Sequence, residues 1–281
     1  MTARPPGPVL ALITALAALA LHVAAEDPAP PRALTFATYN VLADEVRTAE
    51  RVPPLLALLR DSDADVIALQ EASSWFLKDL MKQEWVRKGY QAKMPEDGPV
   101  NPGGQFILSR LPIREVAYKV LPGPQRRTVL TATLDAGGRR LAVATTHLES
   151  RLEDGPVRAK QLDAIFPLLR DSDDAVLLGD LNFGDGEEPD TSHLDKAFVD
   201  LWTTLRPGEP GFTWNIEASD MARKGSFPGE KSRRIDRILL RSAVWRPKSV
   251  RIVGDQPVKP GDKSLFPSDH FGLVGTVERK P

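Results

Sequence analysis

Two stretches of the 281-residue sequence decide the fold: LLRDSDADVIALQE at 58–71 and LLRDSDDAVLLGD at 168–180. Their first six residues are identical. Each stretch reads as a helix end, a short turn and an apolar strand that delivers an acidic residue, Glu71 or Asp180. A repeated helix–turn–strand unit indicates two similar halves. With helices packed outside sheets, it predicts an α/β (α+β) layered sandwich with both acids at one rim.

Further apolar runs extend this pattern along the chain. Strands are predicted at 34–41, 66–69, 105–109, 128–134, 141–147, 176–178, 235–240, 250–253 and 272–277. Helices are predicted at 52–60, 74–87, 156–169 and 194–201. The sequence Ala136-Gly137-Gly138 between two of the strands predicts a hairpin turn.

The composition excludes several classes of protein. The chain has 37 basic and 38 acidic residues, 42% hydrophobic residues and no cysteine. A disordered or collagen-like chain does not have this composition. A near-zero net charge argues against a protein that coats nucleic acid through a large basic surface, and the lack of cysteine excludes disulfides and thiolate metal sites.

The N-terminal residues read as a targeting signal. Arg4 precedes an apolar run at 9–21, and small residues lead up to Ala25. This pattern predicts a signal peptide at 1–25, a Pro-rich leader at 26–32 and a folded domain at 33–281. A membrane anchor and a buried helix are the alternatives. The run, however, is shorter than the about 20 residues that span a bilayer, and no polar face alternates with it as in an amphipathic helix. We expect a secreted or periplasmic monomer with no stable membrane insertion after cleavage.

Polar side chains follow the predicted strands at several points. Taken alone, a strand-end Asp or Asn usually forms a turn, and a single histidine usually packs in a core or rim. Carboxylates and amides together suit Mg²⁺, with Mn²⁺ as the alternative. Such a metal, a carboxylate base and histidines suit attack of water on a phosphoester. The residues in question are Asn40, Glu71, His147, Asp180, Asn182, Asp236, Asp269 and His270.

This ordered set resembles the endonuclease/exonuclease/phosphatase superfamily. The segment at 104–110 matches its Gly-x-x-x-Leu-Ser-Arg pattern. Within the superfamily, the sequence is most similar to the tyrosyl-DNA phosphodiesterase 2 branch. The matching stretches are 146–150, 200–202, 212–214, 234–238 and 266–270. The resemblance implies a four-layer αββα sandwich of the DNase I type, with a single Mg²⁺ at its rim.

The resemblance also implies roles for individual residues on the metal and water side. Glu71 would be the main metal ligand, and Asp269 would contribute directly or through water. Asn40 would position metal-bound water or phosphate. Asp180 would orient and deprotonate the attacking water, with Asn182 fixing the water and the phosphate.

On the phosphate side, the same resemblance implies that His270, oriented by Asp236, and His147 stabilise the pentavalent phosphorus. Ser150 and Trp214 match positions that contact substrate. Gly184 stands where the branch has an arginine, and Arg151 is a candidate to replace that charge.

A basic cluster near Trp214 completes the expected substrate side. It comprises Arg223, Lys224, Lys231, Arg233, Arg234, Arg237 and Arg241. We expect Arg234 to bind substrate in a groove for a nucleic-acid backbone; a solvated, acid-interrupted loop is the alternative.

The predicted function is that of an exported Mg²⁺-dependent phosphodiesterase acting on nucleic acid or on nucleotide or aryl phosphodiesters. The alternatives are a phospholipid or sphingomyelin phosphodiesterase or an inositol-phosphate phosphatase on the same scaffold, or a catalytically silent binding module.

Overall fold

Two β-sheets packed face to face, with helices on their outer sides, form the molecule. The computed structural model describes residues 31–93 and 104–281. The predicted signal peptide lies outside these residues, as does most of the predicted leader. The four-layer αββα arrangement expected from the sequence is confirmed.

The described residues form eleven strands and six helices. The strands are β1 (Ala33–Asn40), β2 (Val66–Gln70), β3 (Phe106–Ser109), β4 (Ile113–Val120), β5 (Thr128–Asp135), β6 (Arg140–His147), β7 (Asp174–Asp180), β8 (Val199–Asp200), β9 (Asp236–Arg241), β10 (Trp245–Val253) and β11 (Gly272–Arg279). The helices are α1 (Thr48–Asp61), α2 (Ser74–Lys82), α3 (Glu84–Gly89), α4 (Gly155–Ile165), α5 (Leu201–Leu205) and α6 (Asp220–Gly225).

The strand orders reveal the two related halves. One sheet has the order β10-β11-β1-β2-β3 and the other β4-β5-β6-β7-β9-β8. Each sheet contains one parallel pair, β1 with β2 and β6 with β7, while the other neighbours are antiparallel. In each pair a helix, α1 or α4, connects the two strands. The carboxyl ends of both parallel pairs therefore carry loops that can meet at one rim.

The repeated six-residue segment occupies equivalent places in the two halves. The first copy ends α1 and leads into β2. The second copy follows α4 through a 3₁₀ turn, Phe166–Leu169, and leads into β7. Pro167, which has no backbone N–H, stands where α4 gives way to this tighter turn.

Apolar side chains fill three successive layers. The largest cluster lies between the sheets and includes Phe36 and Val66 from one and Val143 and Val176 from the other. A second cluster joins α1 and α2 to the outer face of the first sheet. A third joins α4 to the outer face of the second sheet. Burial at about 25 cal/mol per Å² of apolar surface makes these layers the main source of stability.

Two sequence-based element predictions require correction, and one longer strand was not predicted. The predicted helix at 74–87 is divided at Gln83, whose backbone is extended. The predicted helix at 194–201 is wrong: this segment contains β8, because Val199 and Asp200 pair with β9, and α5 begins only at Leu201. Strand β4 was not predicted, since as an edge strand it alternates apolar with charged, exposed residues.

Candidate active site

The predicted polar residues meet where both parallel strand pairs end. β1 ends at Asn40, and Glu71 directly follows β2. β6 ends at His147 and β7 at Asp180, and these two residues are register partners. Because β9 is antiparallel to β7, its first residue pairs with Asp180 at the same rim.

Two further residues, one from each sheet, complete this rim. Asp236 is the first residue of β9, and His270 lies just before β11, which runs antiparallel to β1. Six distant segments of the chain thus bring their polar atoms together.

Glu71 and Asn40 link the first half to the second. Asn40 Nδ2 donates to Glu71 Oε1 and to Asp180 Oδ2, both at 3.1 Å. The backbone N–H of Ala43 donates to Glu71 Oε2 at 2.9 Å. Burial alone would raise the pKa of Glu71, but the charged imidazole of His270 and these donated hydrogen bonds lower it. The Glu71 side chain, 24% exposed, is therefore ionised and open to the solvent.

Asp180 has a different environment from Glu71 although it occupies the equivalent place. It is fully buried, and burial together with the nearby carboxylate of Asp236 raises the pKa of Asp180 to about 7. The backbone N–H of Asn182 donates to Asp180 Oδ1 at 3.0 Å. Asn182 has a left-handed backbone (φ 57°) and donates through Nδ2 to the Leu148 carbonyl at 3.0 Å. Asp180 can therefore exchange a proton near neutral pH.

His270 is held as a charged imidazole. Its Nδ1 lies 3.0 Å from Asp236 Oδ2, and its Nε2 lies 3.7 Å from Asp180 Oδ2. Burial alone would lower the pKa of His270, but these two carboxylates raise it well above its usual value. The Trp214 ring packs against the imidazole with ring centroids 4.9 Å apart. Asp236 thus orients His270 and keeps it protonated.

His147 is the opposite case. Its Nε2 lies 3.3 Å from Asp180 Oδ2, and its Nδ1 lies 3.7 Å from Glu71 Oε1. Burial, and after it the positive charge of Arg127, lowers the pKa of His147 to about 3. The site therefore contains one charged and one neutral imidazole, and His147 Nδ1 has no hydrogen-bond partner among the described residues.

The predicted metal ligands lie on one cleft of about 190 Å³. Asp269 lines it together with Glu71, and Ser268 Oγ lies 3.1 Å from Asp269 Oδ1. Ser268 Oγ also donates to the Asn40 carbonyl at 2.7 Å, which ties this segment to the end of β1. Burial raises the pKa of Asp269, and the charged ring of His270 opposes that shift.

A second group of side chains could also face a cation. Asp180, Asp236 and His270 each have a ligand-type atom, and these atoms lie within 4.8 Å of one another. A protonated imidazole cannot coordinate a metal, however, and His270 Nδ1 is committed to Asp236. We therefore interpret this group as a charged histidine held by two carboxylates, and the Glu71–Asp269 side of the cleft as the better cation site.

The predicted substrate-contacting residues divide into two cases. Ser150 and Trp214 both line the cleft. Arg234 does not: its side chain is fully buried, and it pairs with Asp185 and Asp200. The structure therefore does not bring Arg234 to the cleft, because two acidic residues distant in sequence hold its guanidinium inside the structure.

Sequence reasoning did not identify the positively charged side chain that lines this cleft. Arg127, which directly precedes β5, lines the cleft with His147 and Asp180. Arg151 is exposed and is not among the lining residues. The only signal in the sequence was the Arg126-Arg127 pair, which does not indicate which side chain turns inward.

The described part of the chain contains no helix long and apolar enough to cross a membrane.

Comparisons with known proteins agree with this geometry. Tyrosyl-DNA phosphodiesterase 2 of Xenopus laevis is 27% identical over 252 residues, covering 85% of this chain and 65% of that protein. The Mus musculus protein of the same name is 27% identical over 257 residues, covering 87% of this chain and 66% of that protein. This chain thus spans slightly less than two-thirds of the length of these relatives.

A solved structure of a protein with the same name is also similar to this chain. The Danio rerio tyrosyl-DNA phosphodiesterase 2, complexed with a single-strand DNA product, superposes with a TM-score of 0.75 at 25% identity, covering 88% of this chain and all of that chain. The model of the endonuclease/exonuclease/phosphatase family matches residues 37–270, from β1 to His270. The resemblance predicted from the motifs is confirmed, and the chain belongs to the endonuclease/exonuclease/phosphatase family.

Proposed function

We propose that this protein hydrolyses phosphodiester bonds, with water as the nucleophile and a divalent cation as cofactor. One observation carries the proposal. Glu71, His147, Asp180 and His270, from distant parts of the chain, line a single cleft of about 190 Å³. They supply a cation ligand, a proton acceptor and a charged hydrogen-bond donor within reach of one phosphate group.

The Glu71–Asp269 side of the cleft suits Mg²⁺, with Mn²⁺ as the alternative. Neither carboxylate forms an ion pair with Lys or Arg in the described ranges. Two carboxylates that face a small polar cleft and have no Lys or Arg partner there are the donors that hard divalent cations prefer. When bound, the cation would polarise a phosphoryl oxygen and offset the negative charge of the phosphate.

Asp180 takes the proton of the attacking water. Because the pKa of Asp180 is raised to about 7, this carboxylate is a stronger base than an exposed aspartate and still ionises near neutral pH. Asn40 donates one hydrogen bond to each of Asp180 and Glu71, so the base and the cation ligand keep a fixed spacing.

His270 stabilises the charge that develops on the phosphate. Its Nδ1 proton is directed to Asp236, which leaves Nε2 to donate to a phosphoryl oxygen. Neutral His147, next to both Asp180 and Glu71, adds a further hydrogen-bonding group without repelling the cation. The bond from phosphorus to the leaving oxygen breaks as the bond from water to phosphorus forms.

We further propose that the substrate is a nucleic acid or an aryl phosphodiester. Arg127, Ser150 and Trp214 surround the catalytic atoms, and this combination suits a phosphate flanked by an aromatic group or a base. The similar proteins named tyrosyl-DNA phosphodiesterase 2, one of them in complex with a DNA product, support this substrate class.

We also propose that the protein is exported, on the basis of the N-terminal pattern at 1–25. Expression of the full chain in a bacterium with an intact secretion system, followed by N-terminal sequencing of the exported protein, tests this. Sequencing should begin at Glu26; an uncleaved chain confined to the cytoplasm would refute export.

A comparison of two histidine variants tests the proposed activity. His270→Gln removes the charged donor, whereas His193→Gln changes a histidine that contacts Asp163 outside the cleft. Both variants would be assayed with Mg²⁺ on bis-p-nitrophenyl phosphate and on a 5′-tyrosyl oligonucleotide. Turnover by the parent and His193→Gln but not by His270→Gln supports the proposal; no turnover of either substrate by the parent refutes it.

A further inference from the structure

One exposed glutamine, Gln125, connects two residues that line the catalytic cleft. Arg127 Nε donates to Gln125 Oε1 at 2.8 Å. Gln125 Nε2 donates to Ser150 Oγ at 3.1 Å, and the same hydroxyl lies 3.3 Å from Gln125 Oε1. A single side-chain amide therefore contacts both Arg127 and Ser150, and both line the cleft.

The guanidinium of Arg127 has no other fixed partner in the described ranges. Its terminal nitrogens make no hydrogen bond or ion pair there, so the contact at Nε is the one side-chain hydrogen bond that orients the group among the described residues. An arginine side chain has many rotamers, and an unanchored one loses affinity for an anion when it must become ordered on binding. The direction in which Arg127 presents its charge thus depends on Gln125.

Buried residues in turn fix the backbone at Gln125. The fully buried Glu149 accepts the Gln125 N–H through Oε1 at 2.9 Å. Gln161 Oε1 accepts the Glu149 N–H at 3.1 Å, and Gln161 Nε2 donates to the Pro122 carbonyl at 2.7 Å. Gly123 (φ +135°) lies in the loop at 121–127 between β4 and β5. A side chain there would place Cβ 2.3 Å from Glu149 Oε1, so this loop packs directly on the carboxylate. The loop is therefore held by hydrogen bonds both at its backbone and at the Gln125 side chain.

We infer that Gln125 is a positioning residue that directs Arg127 at the substrate phosphate, with Glu149 fixing the loop that carries it. This inference rests on the proposed function and deepens it, since it assigns the orientation of the Arg127 guanidinium to a residue that does not itself need to touch the phosphate. Loss of the Gln125 amide should weaken phosphate binding through Arg127, which loses the partner of its Nε.

A double-mutant cycle distinguishes this role from a structural one. The variants are Gln125→Ala, Arg127→Ala and the double variant, and the control is Arg126→Gln. Arg126 lies between the two residues, is exposed, and makes no side-chain hydrogen bond among the described residues. Because Gln125 is exposed, Gln125→Ala should fold with an unchanged melting temperature.

Two readouts are used for each variant: kcat/KM for bis-p-nitrophenyl phosphate with Mg²⁺, and calorimetric binding of inorganic phosphate. We expect Gln125→Ala to lose about tenfold in both, the scale of a modest misplacement of a binding group. The double variant should be no worse than Arg127→Ala, and Arg126→Gln should match the parent.

The outcomes separate this inference from the proposed function. Gln125→Ala with parental phosphate affinity, or losses that multiply in the double variant, would overturn the positioning role. Parent protein that hydrolyses no phosphodiester but shows the expected pattern in phosphate binding would refute the proposed function while supporting the role of Gln125.

Discussion

The two halves of the molecule deliver an acid to the same rim from nearly the same sequence, yet the two acids differ in state. Glu71 follows β2, is partly exposed and has a lowered pKa. Asp180 ends β7, is fully buried and has a pKa raised to about 7. The comparison teaches that a repeated helix–turn–strand unit fixes where a carboxylate arrives, while its surroundings fix what that carboxylate can do.

The largest expected effect comes from removing the buried acid. Asp180→Asn keeps the shape of the side chain but cannot accept a proton, so kcat should fall about 10⁴-fold. Steady-state hydrolysis of bis-p-nitrophenyl phosphate measures this. Asp171→Asn, at an exposed residue of the turn before β7, is the control. A loss below tenfold in Asp180→Asn would show that another group is the base.

Removal of the partly exposed acid should have a smaller effect that depends on the metal. Glu71→Gln weakens the cation site, and since a bound cation contributes several kcal/mol, turnover should fall about 10³-fold at low Mg²⁺. Raising the Mg²⁺ concentration should recover part of the activity. The check is kcat/KM as a function of Mg²⁺ concentration. A defect that does not depend on Mg²⁺ would contradict the role of Glu71 as a ligand.

The third effect tests the charge on His270. Asp236 raises the pKa of His270 more than any other group does, so Asp236→Asn should lower that pKa and reduce kcat about 10²-fold. A protonated donor is lost as pH rises through its pKa. The alkaline limb of the pH–rate profile should therefore move to lower pH in Asp236→Asn. An alkaline limb at the same pH in both proteins would show that His270 is not the group that titrates there.

The smallest expected effect concerns stability without metal. A carboxyl group whose pKa is raised in the folded state destabilises the fold as pH rises from its usual pKa of 3.8 to about 7. Asp180→Asn removes this penalty, so its melting temperature relative to the parent should increase over that pH range. About 1 kcal/mol corresponds to about 2–4 °C in a chain of this size. Thermal unfolding in EDTA provides the measurement, and a constant difference between the two proteins would contradict it.

The residues that sequence alone placed correctly share a simple property. Asn40, Glu71, His147 and Asp180 each stand at or directly after the carboxyl end of an apolar strand. Because parallel strands end at a common edge of the sheet, strand order and strand ends suffice to bring such residues together.

The features that sequence missed depend on contacts between distant segments. Arg234 was expected to contact substrate, but Asp185 and Asp200 neutralise it inside the structure. Arg127 lies outside every recognisable motif, and its inward direction depends on Gln125 in the preceding loop. Periodicity and strand ends carry no information about such pairs.

Direct binding of Mn²⁺, followed by electron paramagnetic resonance in the absence of substrate, tests the division of roles between the two acids most directly. The parent and Asp180→Asn should bind one ion with dissociation constants that agree within about threefold, while Glu71→Gln should bind at least about tenfold more weakly. If Asp180→Asn loses the ion as Glu71→Gln does, or if Glu71→Gln retains it, the two carboxylates do not have separate roles.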